Sequence, residues 1–137
     1  MTGGGVVRLQ DDVKITHGFT LHCDQRLSNN LEVNWAGNQW HINPKGVLWD
    51  VSCTDEPEVE PDPPPAPFDT FCGTARGDYN GQSGYWIDFC LQDAGEPGGK
   101  NDRASMTIRG PDGIVLLIPE DFIVSGNLQA HYDQPHK

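Results

Sequence analysis

Chemistry in this chain would have to come from a few sets of side chains: five histidines, a carboxylate-bearing glycine loop, four cysteines, and four tryptophans accompanied by tyrosine and arginine. Nucleophilic catalysis finds no support. Ser, His and Asp all occur, but no G-x-S-x-G elbow does, and Ser83 falls in the turn-like run Asn80-Gly81-Gln82-Ser83-Gly84. His17, His22, His41, His131 and His136 lack metal-ligand spacing, and His17 and His22 lie on opposite phases of an extended segment. No enzyme activity is expected. Asp93, Glu96 and Asp102, in DAGEPGGKND, bring the oxygen ligands that suit Ca²⁺ and are the metal candidates. Glycine-rich turns use the same residues as caps, and that reading is preferred, so no cofactor is expected.

The aromatic residues suggest binding. Trp35, Trp40, Trp49 and Trp86, with Tyr79 and Tyr85, offer flat apolar faces that stack on sugar rings, with nearby polar side chains to hold the hydroxyls. Trp35 and Trp49 share the phase of their apolar neighbours and are expected in the core. Trp86 is out of phase, and a hairpin sets Arg76 opposite it, so a cation–π pair accounts for it without a ligand. Trp86, Arg76 and Tyr79 are the candidate ligand-binding residues, with glycans the implied partner. Arg76-Gly77-Asp78 spells a tripeptide that integrins recognise, but Arg and Asp two apart on a strand share one face, whereas recognition needs them splayed at an apex.

The element that positions these residues is a hairpin. Two runs of period-2 alternation flank Asn80-Gly81, which places Cys72 opposite Cys90, Arg76 opposite Trp86, and Gly73, Ala75 and Gly77 opposite Phe89, Ile87 and Tyr85. Phe71, Ala75, Tyr85, Ile87, Phe89 and Leu91 then face the core, and Cys72, Thr74, Arg76, Asp78, Trp86, Asp88 and Cys90 face solvent. With no C-x-x-C spacing, the four cysteines read as two disulfides. Three pairings are possible; the hairpin favours Cys72–Cys90 and leaves Cys23–Cys53, following Phe19-Leu21-Cys23 and Trp49-Val51-Cys53 on the apolar phase. Disulfides imply an oxidising, extracellular or cell-surface setting.

The remaining chain is cut into short alternating runs: Gly5 to Leu9, Ile15 to Cys23, Leu31 to Trp35, Gln39 to Asn43, Val47 to Cys53, Arg103 to Arg109, Ile114 to Ile118, Phe122 to Val124 and Leu128 to Tyr132, with a bend at Gly126-Asn127. The unbroken Leu116-Leu117-Ile118 suggests a strand covered on both sides or meeting a partner. Pro111-Asp112-Gly113 is a specific turn signal. Residues 54–67 hold six prolines and the acid cluster of Asp55, Glu56, Glu58, Glu60 and Asp62, so they cannot supply a ladder and are expected as a solvated crossover loop. Residues 133–137 are expected to fray. Sixteen glycines, eleven prolines and no long helical period complete the case for one all-β domain over 1–137, an antiparallel β-sandwich of about nine or ten short strands.

Charge narrows the partners. Nine Lys and Arg against twenty Asp and Glu leave a net −11, which repels nucleic acid and anionic membranes. No run has the length of a membrane span, so no membrane insertion is expected. Met1 to Gly5 lacks the charged and apolar parts of a signal peptide, as expected of an excised domain or processed precursor.

Scattered pieces of the chain resemble the post-COAP type accessory domain of secreted multidomain bacterial proteins. They are Thr2-Gly3-Gly4-Gly5, Gly18-Phe19, Phe71 with Gly73-Thr74-Ala75, Asn80-Gly81 before Gly84-Tyr85, Asp93-Ala94-Gly95-Glu96-Pro97-Gly98 with Asp102, and Ser125-Gly126-Asn127-Leu128-Gln129-Ala130-His131. D-x-G-E-P-G and G-N-x-Q-x-H are the specific parts. The resemblance implies a non-catalytic module with no catalytic residues to carry over. The Pro/acid loop and the Cys72/Cys90 pair depart from the family pattern. The expected role is structural or interactive, with edges near Gly5 to Leu9 or Leu128 to Tyr132 pairing with neighbouring domains or copies of the chain.

Overall fold

The computed structural model describes residues 1–8, 13–24, 27–54, 70–92, 102–122 and 125–129. All regular structure among them is β: β1 (Thr2–Arg8), β2 (Lys14–Thr20), β3 (Asn30–Trp35), β4 (Asn38–Ile42), β5 (Leu48–Thr54), β6 (Thr70–Tyr79), β7 (Gln82–Gln92), β8 (Arg103–Gly110), β9 (Gly113–Phe122) and β10 (Ser125–Gln129). Every pairing is antiparallel, in the order β10-β1-β2-β3-β4-β6-β7-β8-β9, with β5 also on β6. The Pro/acid segment, the DAGEPGGKND loop up to Asn101 and the C-terminal tail lie outside the described residues.

Two features of the path curl the sheet. β4 pairs with Gly77 to Tyr79 of β6, and β5 pairs with Thr70 to Ala75 of the same strand, so one edge of β6 is shared by consecutive segments. The corner between them, Asn43 to Val47, is held by the Asn43 amide donating to the Arg76 carbonyl and the Gly46 amide to the Asn43 carbonyl. At the other end, β9 stops at Phe122 and β10 starts at Ser125, although they stand at opposite ends of the strand order. Three residue steps span at most about 11 Å, so the extremes of the sheet come together in a half-barrel.

One hydrophobic cluster fills the concave side, from Val7, Ile15 and Val33 through Trp40 to Phe71, Ile87, Met106 and Ile118. The hairpin of β6 and β7 has the register read from the sequence, including Cys72 opposite Cys90 and Arg76 opposite Trp86. Asn80 and Gly81, both at positive φ, form its two-residue turn, the backbone a right-twisted hairpin favours. Gly77 permits a close approach: a Cβ there would stand 2.3 Å from the His41 carbonyl oxygen and 2.4 Å from the buried Trp40 ring.

The structure corrects three local expectations. Gly126 and Asn127 are not a bend; they pair with Gly5 and Gly4 inside β10. β1 is not an edge, because β10 covers one side and β2 the other. The alternation Val47, Trp49, Val51, Cys53 toward the core fails: Leu48 is buried, while Val47 is 43% and Trp49 is 42% exposed. The cause is a bulge in β5. Asp50 and Val51 together stand against Gly73, between the pairs Trp49–Thr74 and Ser52–Cys72, and Asp50 takes φ +52°. Two residues opposite one reverse the phase of everything before the bulge.

Candidate functional site

The bulge brings Trp49 onto the convex face, where β5, β6, β7 and β8 present a patterned surface. Their register arranges outward side chains in transverse rows. Arg76, Trp86 and Arg109 form the first, Thr74, Asp88 and Thr107 the second, with Trp49 beside Thr74, and Cys72, Cys90 and Ser105 the third. Long side chains in the first row make a ridge, and short ones in the next two leave a valley.

The ridge is preorganised. The Arg76 guanidinium lies over the Trp86 ring, 4.5 Å from its centroid, and Trp49 packs against Trp86 at 5.4 Å with a 55° tilt. Such a cation–π contact is worth about 0.5–1 kcal/mol at an exposed site. Arg109 pairs with the Asp88 carboxylate, whose other oxygen accepts the Thr74 hydroxyl at 2.7 Å. Asp88 is thereby fixed in orientation, and its partner's charge is locally neutralised. Trp49, Asp50, Thr74, Trp86, Asp88 and Arg109 together line a cleft of about 420 Å³. It is the arrangement a flat, hydroxylated ring requires: an exposed indole with carboxylate, hydroxyl and guanidinium groups at its border.

Of the ligand candidates read from the sequence, Arg76 and Trp86 meet here, but Tyr79 does not. Tyr79 faces the other side, stacked on Trp35 at 5.6 Å and against Tyr85 at 4.9 Å. Trp49 is the residue that periodicity missed. Its only local signal is the Leu48-Trp49 doublet followed by Asp50, a residue type that tolerates the left-handed conformation.

The cysteines pair as Cys23–Cys53 and Cys72–Cys90, with Cα separations of 6.3 and 4.1 Å. The first ties β5 to the β2–β3 connection, which is also held by Asn29 accepting from the His22 amide and donating to the Gly46 carbonyl. The second lies in the third row, on the floor of the valley. Two disulfides indicate an oxidising setting. No helix long and apolar enough to cross a membrane is found among the described residues.

Other candidates find structural explanations. Arg76-Gly77-Asp78 lies in the β6 ladder, with Asp78 opposite His41 and Gly77 under Trp40, not at an apex. His22 is buried, with Nδ1 against the Ser28 carbonyl. Asp102 is fully buried, whereas Asp93 and Glu96 lie outside the described residues, and no cluster of metal-ligating side chains is found among those described. His17 is buried beside Phe19, its ring nitrogens have no hydrogen-bond partner among the described residues, and burial pulls its imidazole down to about 4. No family model, curated protein or solved structure matches the chain.

Proposed function

We propose that the chain is a non-catalytic interaction module of a secreted or cell-surface protein, and that it binds carbohydrate through the convex face of β5 to β8. The observation that carries this is the exposed Trp49, presented by a bulge with the aspartate in left-handed backbone and braced by Trp86 and Arg76. A large aromatic side chain held outward beside a polar cleft is poor economy for stability and useful for stacking on a ligand. The resemblance to post-COAP type accessory domains supports a non-catalytic role, and the disulfides support export. The curl supports a sandwich reading as well, with β10-β1-β2-β3-β4 facing β5-β6-β7-β8-β9 and strands changing layer at the two corners.

The test is a glycan array followed by titration calorimetry. Trp49→Ala should lower the affinity for any bound glycan by about tenfold or more. Its thermal midpoint should stay close to the parent's, since Trp49 stands outside the hydrophobic core, 42% exposed on the convex face. An array without a binder, or unchanged affinity in Trp49→Ala, rejects the carbohydrate reading.

A second reading is association through sheet edges, with copies of the chain or with neighbouring domains. Its supporting observation is that β9 pairs only with β8 and β10 only with β1 among the described residues, while Ile114 and Leu117 of β9 are 61% and 55% exposed. Light scattering that stays monomeric at millimolar protein removes the self-association version.

A further inference from the structure

We infer that the site is a groove for an extended, uncharged glycan laid across the strands, and not a pocket for one terminal ring; this rests on the carbohydrate reading above. The cleft at Trp49 does not end at Asp88. A second hollow, lined by Asp50, Cys72, Thr74, Asp88, Cys90, Ser105 and Thr107 among others, shares Asp50, Thr74 and Asp88 with the first. The two are one groove, running from the aromatic ridge over the disulfide toward β8.

Its shape follows from residue size. The second and third rows hold Thr74, Asp88, Thr107, Cys72, Cys90 and Ser105, all short, between the Arg76-Trp86-Arg109 ridge and a further row in which Gln92 stands between Thr70 and Arg103. These short residues lie on β6, β7 and β8, so the floor is two interstrand spacings or about 10 Å across, and Trp49 on β5 adds a third spacing, which makes the groove about 14 Å from Trp49 to β8, more than one sugar ring occupies.

The chemistry selects the occupant. β6 and β7 are paired on both sides, so the floor offers no main-chain ladder to a peptide. What it offers is hydroxyl and carboxylate oxygen, from the Ser105 and Thr107 side chains and the Asp50 carboxylate that line the second hollow. The Cys72–Cys90 bridge supplies an apolar patch for a ring face. An anionic chain is disfavoured, because Arg109 is already paired with Asp88, Arg76 is on Trp86, and the net charge is −11.

The experiment is calorimetric titration of the full chain with cello-, xylo- and chito-oligosaccharides, from disaccharide to hexasaccharide. Affinity should climb about tenfold or more with length and then level off as the groove fills. Thr107→Tyr, which fills the valley, should lower hexasaccharide affinity about tenfold, and Ser105→Tyr should do the same from the neighbouring row. Thermal midpoints identify a variant that has lost its fold, in which case the other variant decides. If a hexasaccharide binds no tighter than its disaccharide while Trp49→Ala still weakens both, the extended groove is wrong and the carbohydrate reading stands. If none of these sugars binds, the extended groove is overturned, and the glycan array then decides the carbohydrate reading.

Discussion

His17 is the side chain whose burial has the most measurable consequence. It shares the inward phase of Ile15 and Phe19, and its ring is enclosed without a hydrogen-bond partner among the described residues. Burial disfavours the charged form, so its pKa falls from 6.5 to about 4. Above pH 6.5 the imidazole is neutral in folded and unfolded chains alike, and protonation costs nothing. As the pH drops toward 4 the unfolded chain takes up a proton that the folded chain refuses, so stability falls by up to about 3 kcal/mol and then levels off. His17→Phe should therefore flatten this part of the acid limb. Urea unfolding of parent and variant at about pH 7.5 and about pH 4.5 measures it, and equal losses in both would assign the acid limb to other groups. At Gly77 the expected effect is steric. Gly77→Ala pushes a methyl group into Trp40 and the His41 carbonyl and should destabilise by about 1–3 kcal/mol, read by the same unfolding curves.

The elements differ in how far local sequence determines them. The β6–β7 hairpin was legible because its information is local: Asn80-Gly81 fixes a two-residue turn, and alternation then sorts every side chain by face. The Cys72–Cys90 pair followed from that register. β5 was not legible, because its bulge depends on Gly73 of a strand more than twenty residues away, and nothing in Trp49-Val51-Cys53 says that two residues will share one partner. That single insertion moved Trp49 from an expected core position to the centre of the candidate site. Leu117 is a related case: its apolar run reads as covered on both sides or as meeting a partner, and opposite Thr107 it faces outward and is exposed, which removes only the first alternative. For β5, the prediction concerns its tether. Cys23→Ser with Cys53→Ser removes a crosslink of sequence separation 30, worth about 3–4 kcal/mol in the chain-entropy account. The loss should appear as a lower urea midpoint, with weaker glycan binding if β5 shifts. A midpoint equal to the parent's would mean that Asn29 and the β6 ladder hold β5 unaided.

For the molecule as a whole, the consequential fact is that β1 and β10 pair, joining Thr2 to Gln129 and Val6 to Ser125. Strands β6 to β9 are neighbours in sequence as well as in the sheet and can pair early. The β1–β10 ladder closes the whole chain and carries the largest loop-closure cost, so it should form late, and folding should fall in the slow, millisecond-to-second range of nonlocal β proteins. The same ladder covers a vulnerable edge. β1 carries Gly3, Gly4 and Gly5, which add little side-chain packing of their own, so the partner strand is what occupies its main-chain groups on that side. A chain ending at Phe122 keeps β9 but leaves Thr2 to Val6 with open donors and acceptors, a template for another copy. It should unfold at a lower temperature and sediment as dimers or larger species at concentrations where the parent is monomeric. The Trp49 groove lies on β5 to β8, so glycan binding per folded molecule should survive. A truncated chain that stays monomeric with an unchanged thermal midpoint would show that β10 contributes neither edge protection nor closure of the sheet.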